Sequence, residues 1–388
     1  MEISATAVVG RTSQAVEQAK AIVSAGLAPV LKRSDAPAFG CFPVYSPYEI
    51  IRAAGLLPVG LMGAGASIDI VHADARFQSF VCSIAKTSLE LGLQKRLTGM
   101  EGAVFHSICD VARNLASVFK RNFPAMHIEY IHLPQNAAGP ETEDYLVTEY
   151  RRVMTGLEAR TGRRIDDAAV AAAIREYNRP RRLMRELYAM RSKEPERIGA
   201  AELFPLVRAG TMLPPDEHAR LLESAKEEFV ARKPRRMDRV KVVVEGAFCE
   251  QPPVGLIETL EGAGCYVVDD DFCAGWRWFS TDVPEGPDPV RQLARAWLEH
   301  GRASSTRYNP DNPRHKDLVR RVRETGAQAV LFMPAKFCEP ALFDYVIFRR
   351  ELEKENIPHL MVEFEEKMWT FERTRGEVET FVESLLFD

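Results

Sequence analysis

Residues 38–62, AFGCFPVYSPYEIIRAAGLLPVGLM, decide the fold. Residues 38–44 are an apolar run of strand length. Residues 47–54 then read as a short helix, with Pro47 near its start and Gly55 at its end. Residues 57–62 are a second strand. Strand, short helix and strand in succession imply parallel pairing across a helical crossover. These strands are apolar throughout rather than alternating, as strands covered on both faces are.

The pattern extends outward from this stretch. Phe77, Val81, Ile84, Ser88 and Leu91 follow a 3.6-residue period, which predicts a helix over 77–93. Residues 103–107 read as a strand, 110–121 as a helix and 127–133 as a strand. Before them, residues 11–32 read as a docking helix with Val16, Ala19, Ile22 and Val23 on one face. The alternation resumes late in the chain. VKVVVE at 240–245 is a buried-type strand, 255–262 a helix and 265–268 a strand ending in Asp269, Asp270 and Asp271. Residues 291–300 read as a helix, 329–333 as a strand, the segment around Leu342–Leu352 as a helix and 359–364 as a strand. Residues 381–386 read as a terminal helix. Between the two α/β regions the reading is helical: Asp166 is a cap, and Pro180 is expected to restart a helix. Residues 151–197 carry 13 basic and 7 acidic residues, expected to form a solvated face or a docking surface. The expected segments are 1–35, 36–140, 141–235 and 236–388.

Composition narrows the function. The 388 residues hold 51 Lys+Arg and 55 Asp+Glu, a net charge of −4, which disfavours a general nucleic-acid binder. The longest charge-free stretch, between Arg52 and Asp69, is shorter than the ~20 residues of a spanning helix. No signal-peptide pattern is visible in MEISATAVVGRTSQ, so a cytoplasmic protein with reduced thiols, bound to neither nucleic acid nor membrane, is expected. The chain carries no G-x-x-x-x-G-K-[ST], G-x-G-x-x-G, H-E-x-x-H, C-x-x-C or G-x-S-x-G.

The seven cysteines stand at 41, 82, 109, 249, 265, 273 and 338. Three fall where a strand or loop runs into a helix: Cys82, Cys109 and Cys338. Ligands of doubly wound sheets sit outside the carboxyl ends of the strands, and helix N-termini there favour thiolates. Three such thiols suit an iron–sulfur cube with one open iron; each also suits a small buried apolar residue.

The segments FGCFPVYSPYEIIRAAGLLPVGLMG, FVCSIAKTSLELG, HSICDVARNL, VEGAFCEQPP, GCYVVDDDFCAGWR, LFMPAKFCEP and RTRGEVETFVESL, in that order, resemble the 2-hydroxyacyl-CoA dehydratase / benzoyl-CoA reductase family over about 36–388. The wording leans toward the ATP-dependent benzoyl-CoA reductases. The resemblance implies a 4Fe–4S cluster on Cys82, Cys109 and Cys338. It implies a homologous partner that binds a second cluster, separate ATP-hydrolysing iron–sulfur subunits that deliver electrons, and an aryl-CoA substrate. The implied reaction is two-electron dearomatisation of benzoyl-CoA to a cyclohexadienoyl-CoA. The expected architecture is α/β: two flavodoxin-like parallel-sheet domains with a helical insertion domain, and the cluster in the cleft between them. The alternatives are a 2-hydroxyacyl-CoA dehydratase subunit, a non-catalytic iron–sulfur electron-transfer protein and a metal-free two-lobed binder.

Other residues carry weaker expectations. His106 is the candidate proton donor or hydrogen-bond partner of a cluster sulfur. Glu339 beside Cys338 is a lesser candidate of the same kind. Asp269–Asp271 suit either Mg²⁺ or a helix cap. Arg373 and Arg375 suit a cluster-facing loop or CoA phosphates. Cys41 and Cys249 are expected in strand-end loops, Cys265 in the core, and Cys273 as structural or pocket-lining.

Overall fold

The computed structural model describes residues 13–387 apart from 235, 247–250, 272–275, 300–302, 304, 366, 367 and 369. Cys249 and Cys273 lie outside the described residues. An N-terminal helix α1 (Gln14–Ala25) precedes the first sheet unit: β1 (Ala38–Cys41), α2 (Tyr48–Ala53), β2 (Leu57–Gly60), α3 (Ser83–Leu93), β3 (Gly102–His106), α4 (Asp110–Asn122) and β4 (His127–Ile131). Four helices follow: α5 (Thr142–Thr161), α6 (Asp167–Lys193), α7 (Ala200–Ala209) and α8 (Pro215–Ala231). The second sheet unit runs through β5 (Val240–Glu245), α9 (Val254–Gly262), β6 (Cys265–Asp270), α10 (Trp276–Phe279), α11 (Pro289–Leu298), α12 (Arg314–Thr325), β7 (Ala329–Phe332), α13 (Glu339–Lys354), β8 (His359–Met361) and α14 (Glu372–Phe387).

Both sheets are parallel and share one topology. The orders are β2-β1-β3-β4 and β6-β5-β7-β8, which is second-first-third-fourth in each unit. That is the order of the flavodoxin-like doubly wound fold, whose ligands sit where the strand order reverses, between the first and third strands. The expected α/β architecture with two flavodoxin-like sheets is therefore what the chain adopts. β1, β2, β3 and β7 are buried at every position, which accounts for their unbroken apolar character. Among the described residues no helix is long and apolar enough to cross a membrane.

Four local expectations are corrected. Pro180 does not restart a helix; α6 runs unbroken through it. The proline forfeits one helical hydrogen bond, but α6 is held from outside by buried partners, described below. The third helix starts at Ser83 rather than at residue 77, because residues 63–73 are drawn onto it by its own polar side chains. Asp269 and Asp270 lie inside β6 rather than in a loop, and with Asp271 they are buried. Arg373 and Arg375 lie in α14, a longer helix than expected, and pair one turn on with Glu377 and Glu379 on the surface.

The basic middle is neither a plain solvated face nor a free docking surface. Its arginines reach into both sheet units. Arg152 meets Glu129 at 3.1 Å and Arg160 meets Glu101 at 2.8 Å. Arg182 and Arg185 both pair with Asp282. Two pairs are almost wholly buried: Arg181 with Glu49 at 2.6 Å and Arg191 with Asp270 at 2.8 Å. Arg191 also stacks over the Tyr188 ring, 4.3 Å from its centre. At the same end of the second sheet Arg321 joins Glu245 (2.5 Å) to Asp269 (2.7 Å), and Arg314 joins Glu245 (2.7 Å) to Asp344. The three aspartates are thus matched by arginines from α6 and α12 rather than set out for Mg²⁺.

Removing one member of a buried pair strands the other charge. Arg191→Met is expected to lower unfolding free energy by about 3–5 kcal/mol, read by urea denaturation. An exposed control, Arg373→Met, should change it by less than about 0.5 kcal/mol.

Candidate functional site

Each of the three singled-out cysteines is the N-cap residue of a helix: Cys82 of α3, Cys109 of α4 and Cys338 of α13. Cysteine is a poor cap by propensity, so these positions are set by the chain around them. For Cys82, α3 turns three fully buried polar side chains toward residues 63–73. Ser88 Oγ accepts from Gly63 N (3.1 Å), Thr87 Oγ1 from Ala64 N (3.2 Å), and Glu90 Oε2 from His72 N and Ala73 N (both 2.8 Å). Lys86, one turn past Cys82, is buried against Asp74 at 2.8 Å. For Cys338, the preceding Phe337 holds a left-handed backbone (φ 65°), and Lys336 N donates to Phe364 O (2.8 Å). A bulky residue at positive φ needs support of this kind from its surroundings.

Cys109 and Cys338 occupy equivalent places. Each caps the helix that follows the third strand of its sheet, beside the point where strand order reverses. Cys109 Sγ accepts from Ala112 N at 3.4 Å. Burial pushes its thiol above the usual range; the Ala112 and Val111 amides pull it down, and the Asp110 and Glu339 carboxylates push it up again. Glu339 adjoins Cys338, so the carboxylate that acts on Cys109 stands next to the second cysteine. Cys82, Cys109 and Cys338 all pack half-buried on the larger apolar core, and Cys338 touches the core of the second sheet as well.

Three soft donors at helix N-termini fit an iron–sulfur group by chemistry. Their side chains do not form a finished ligand set: among the described residues no three His, Cys, Asp or Glu close into a group that could hold a metal ion. No disulfide joins the described cysteines. Cys41 ends β1 as a buried core residue, not a loop residue lining the cleft, and Cys265 is core as expected. Burial raises the Cys265 thiol to about 12.

His106 ends β3 and is wholly buried. Its Nε2 lies 3.0 Å from Ser46 Oγ, and Nδ1 has no hydrogen-bond partner among the described residues. Burial lowers its pKa to about 3, so the ring is neutral at physiological pH. Burial thus disfavours the protonated ring, while Ser46 gives it a hydrogen-bond partner. The Ser46–His106 contact links the loop after β1 to the end of β3, at the reversal point of the first sheet. Glu339 is exposed on the first turn of α13.

Sequence reasoning missed the cavity beside Ser46. It measures about 110 Å³, and its walls come from the loop after β1, from Tyr150 of α5, from Trp278 and from Trp297 of α11. The segments are far apart in the chain, and only the YSPY string at 45–48 hinted at aromatic walls.

These features define an α/β chain of two parallel sheets in which three helices begin at a cysteine. The family described as 2-hydroxyglutaryl-CoA dehydratase, D-component, matches residues 43–385, and the chain belongs to it. It is 36% identical to a benzoyl-CoA reductase subunit from Thauera aromatica over 344 residues, 88% of this chain and 89% of that one. It is 31% identical to the beta subunit of lactoyl-CoA dehydratase from Anaerotignum propionicum (90% and 91% covered). It is 27% identical to the beta subunit of (R)-phenyllactyl-CoA dehydratase from Clostridium sporogenes (92% and 93% covered).

A buried neutral histidine makes stability depend on pH. His106 and the equally buried His218, lowered by burial to about 4, titrate near 6.5 once unfolded. Between those values the unfolded chain binds more protons, so stability is full above pH ~6.5 and falls as pH drops. Each should contribute a slope of up to about 1.4 kcal/mol per pH unit. Urea denaturation at pH 7 and pH 5 measures it, and His106→Asn is expected to flatten the difference.

Proposed function

We propose that this chain is the iron–sulfur subunit of a benzoyl-CoA reductase, an oxidoreductase acting in anaerobic aromatic degradation in the cytoplasm. In this reading Cys82, Cys109 and Cys338 hold a 4Fe–4S cluster in the cleft between the two sheets. The observation that carries it is the placement of these three cysteines as helix N-caps in a chain 36% identical to a benzoyl-CoA reductase subunit. When bound, such a cluster supplies electrons at a potential set by charge, hydrogen bonds and exposure.

The chain's own residues have definite tasks here. The N-terminal amides and dipoles of α3, α4 and α13 favour the negative charge of ligating thiolates. Burial of Cys109 works against that charge, so its thiol ionises only when a cation accompanies it. The pinned 63–73 loop and the strained turn at Phe337 fix Cys82 and Cys338 before loading. Neutral His106 holds Ser46 at the reversal point of the first sheet without adding charge there.

The reading includes a homologous cluster-binding partner, separate ATP-hydrolysing iron–sulfur subunits and an aryl-CoA substrate. It also includes a division into an extension (1–35), a first α/β domain (36–140), a helical domain (141–235) and a second α/β domain (236–388). Membership of a 2-hydroxyacyl-CoA dehydratase is the second reading, favoured by the 31% and 27% identities to dehydratase beta subunits.

Anaerobically purified chain is expected to carry about four irons and matching acid-labile sulfide, most of it lost in Cys109→Ala and retained in Cys41→Ala. Folded, metal-free protein after reconstitution with iron and sulfide overturns the reading. With its partner subunits added, turnover of benzoyl-CoA supports the reductase; turnover of 2-hydroxyacyl-CoA alone supports the dehydratase.

A further inference from the structure

Helix α13 is apolar on two opposite faces. Its inner face is core: Ala341, Phe348 and Leu352 are buried. On the outer face Phe343 is 74% exposed, Val346 52% and Ile347 50%. At about 100° per residue these three fall within about a third of the helix circumference. Among the described residues no other helix exposes three large apolar side chains. A helix packed on a sheet needs one apolar face, and a second, contiguous one marks a surface that something covers.

Two charges bound this outer face, one at each end. Glu339 and Arg350 are both exposed, and neither forms an ion pair among the described residues; the neighbouring Arg349 and Lys354 are matched by Glu353 and Glu351. Glu339 and Arg350 lie on the same stripe as the apolar side chains, about 16 Å apart along the axis. An acidic end, an apolar middle and a basic end are complementary to the same face reversed.

We propose that the outer face of α13 binds a second copy of this chain, the two helices lying antiparallel across a two-fold axis. Such an interface is isologous, each copy giving and receiving the same contacts. Glu339 of each copy then meets Arg350 of the other. The same register sets Phe343 against Val346, since both pairs are centred between residues 344 and 345, with Ile347 beside them. A single helix pair is at the small end of specific interfaces, so a dissociation constant in the micromolar range is expected. The pairing depends on neither the iron–sulfur nor the acyl-CoA reading.

Sedimentation velocity of the full-length chain alone, from about 1 to 100 μM, should show a monomer passing into a dimer. Phe343→Asp should weaken pairing at least about tenfold, and Val230→Asp, at an exposed apolar position on α8, should leave it unchanged. Glu339→Arg and Arg350→Glu should each weaken it about tenfold by setting like charges together. Mixing these two single variants should restore a dimer, now of unlike copies, and the double variant should pair as well as the parent. A variant that is merely misfolded would show neither rescue. A monomer at every concentration overturns the inference, as does a dimer indifferent to Phe343→Asp or a mixture of the charge variants that fails to pair. A chain that is monomeric alone but held through Phe343 by a different, co-expressed subunit overturns it too and assigns the face to that subunit.

Discussion

Helix α6 is the beam on which the two sheets hang. Arg181 buries its charge against Glu49 of α2, beside the first sheet, and Arg191 buries its charge against Asp270 at the end of β6 in the second. Ten residues separate them, about 15 Å along a helix. Neither pair is strong evidence of net stability, since desolvation offsets most of the Coulomb attraction. What they do is fix register: sliding α6 by one residue would strand four buried charges. The same constraint explains why Pro180 is tolerated beside Arg181. A helix held at its middle and at its C-terminal end by buried ion pairs does not need every hydrogen bond of its own.

Fixing the sheets in this way sets the edge they share. Both units have the second-first-third-fourth strand order, so equivalent positions recur across the interface. Cys109 and Cys338 are one such pair, each capping the helix after a third strand. Opposing forces act on Cys109. The helix amides favour its thiolate; burial and two nearby carboxylates favour the thiol. An isolated thiolate is therefore disfavoured, while one matched by a bound cation is not.

Legibility in the sequence followed how local the cause was. AVLF reads directly as a strand because burial on both faces leaves an unbroken apolar run, and VKVVVE does so through its four valines. The three helix-entry cysteines were legible for the same reason: strand and helix patterns abut there. Asp269–Asp271 were not, because the arginines that bury them come from α6 and α12, about 50 to 80 residues away. The start of α3 was misread because Phe77 and Val81 fit the helical period, whereas Ser88, Thr87 and Glu90 draw the upstream loop onto the helix instead. The burial of His106 was invisible as well, since a strand-end histidine looks alike in either setting.

His106 joins the two parts of the first sheet's working edge. On one side its Nε2 meets Ser46 at the aromatic cavity; three residues along the chain is Cys109. A charged imidazole there would draw water into an apolar space. Burial removes that charge by driving the pKa to about 3, far below any working pH. The ring is thus a neutral link between Ser46 and the strand end that runs into Cys109.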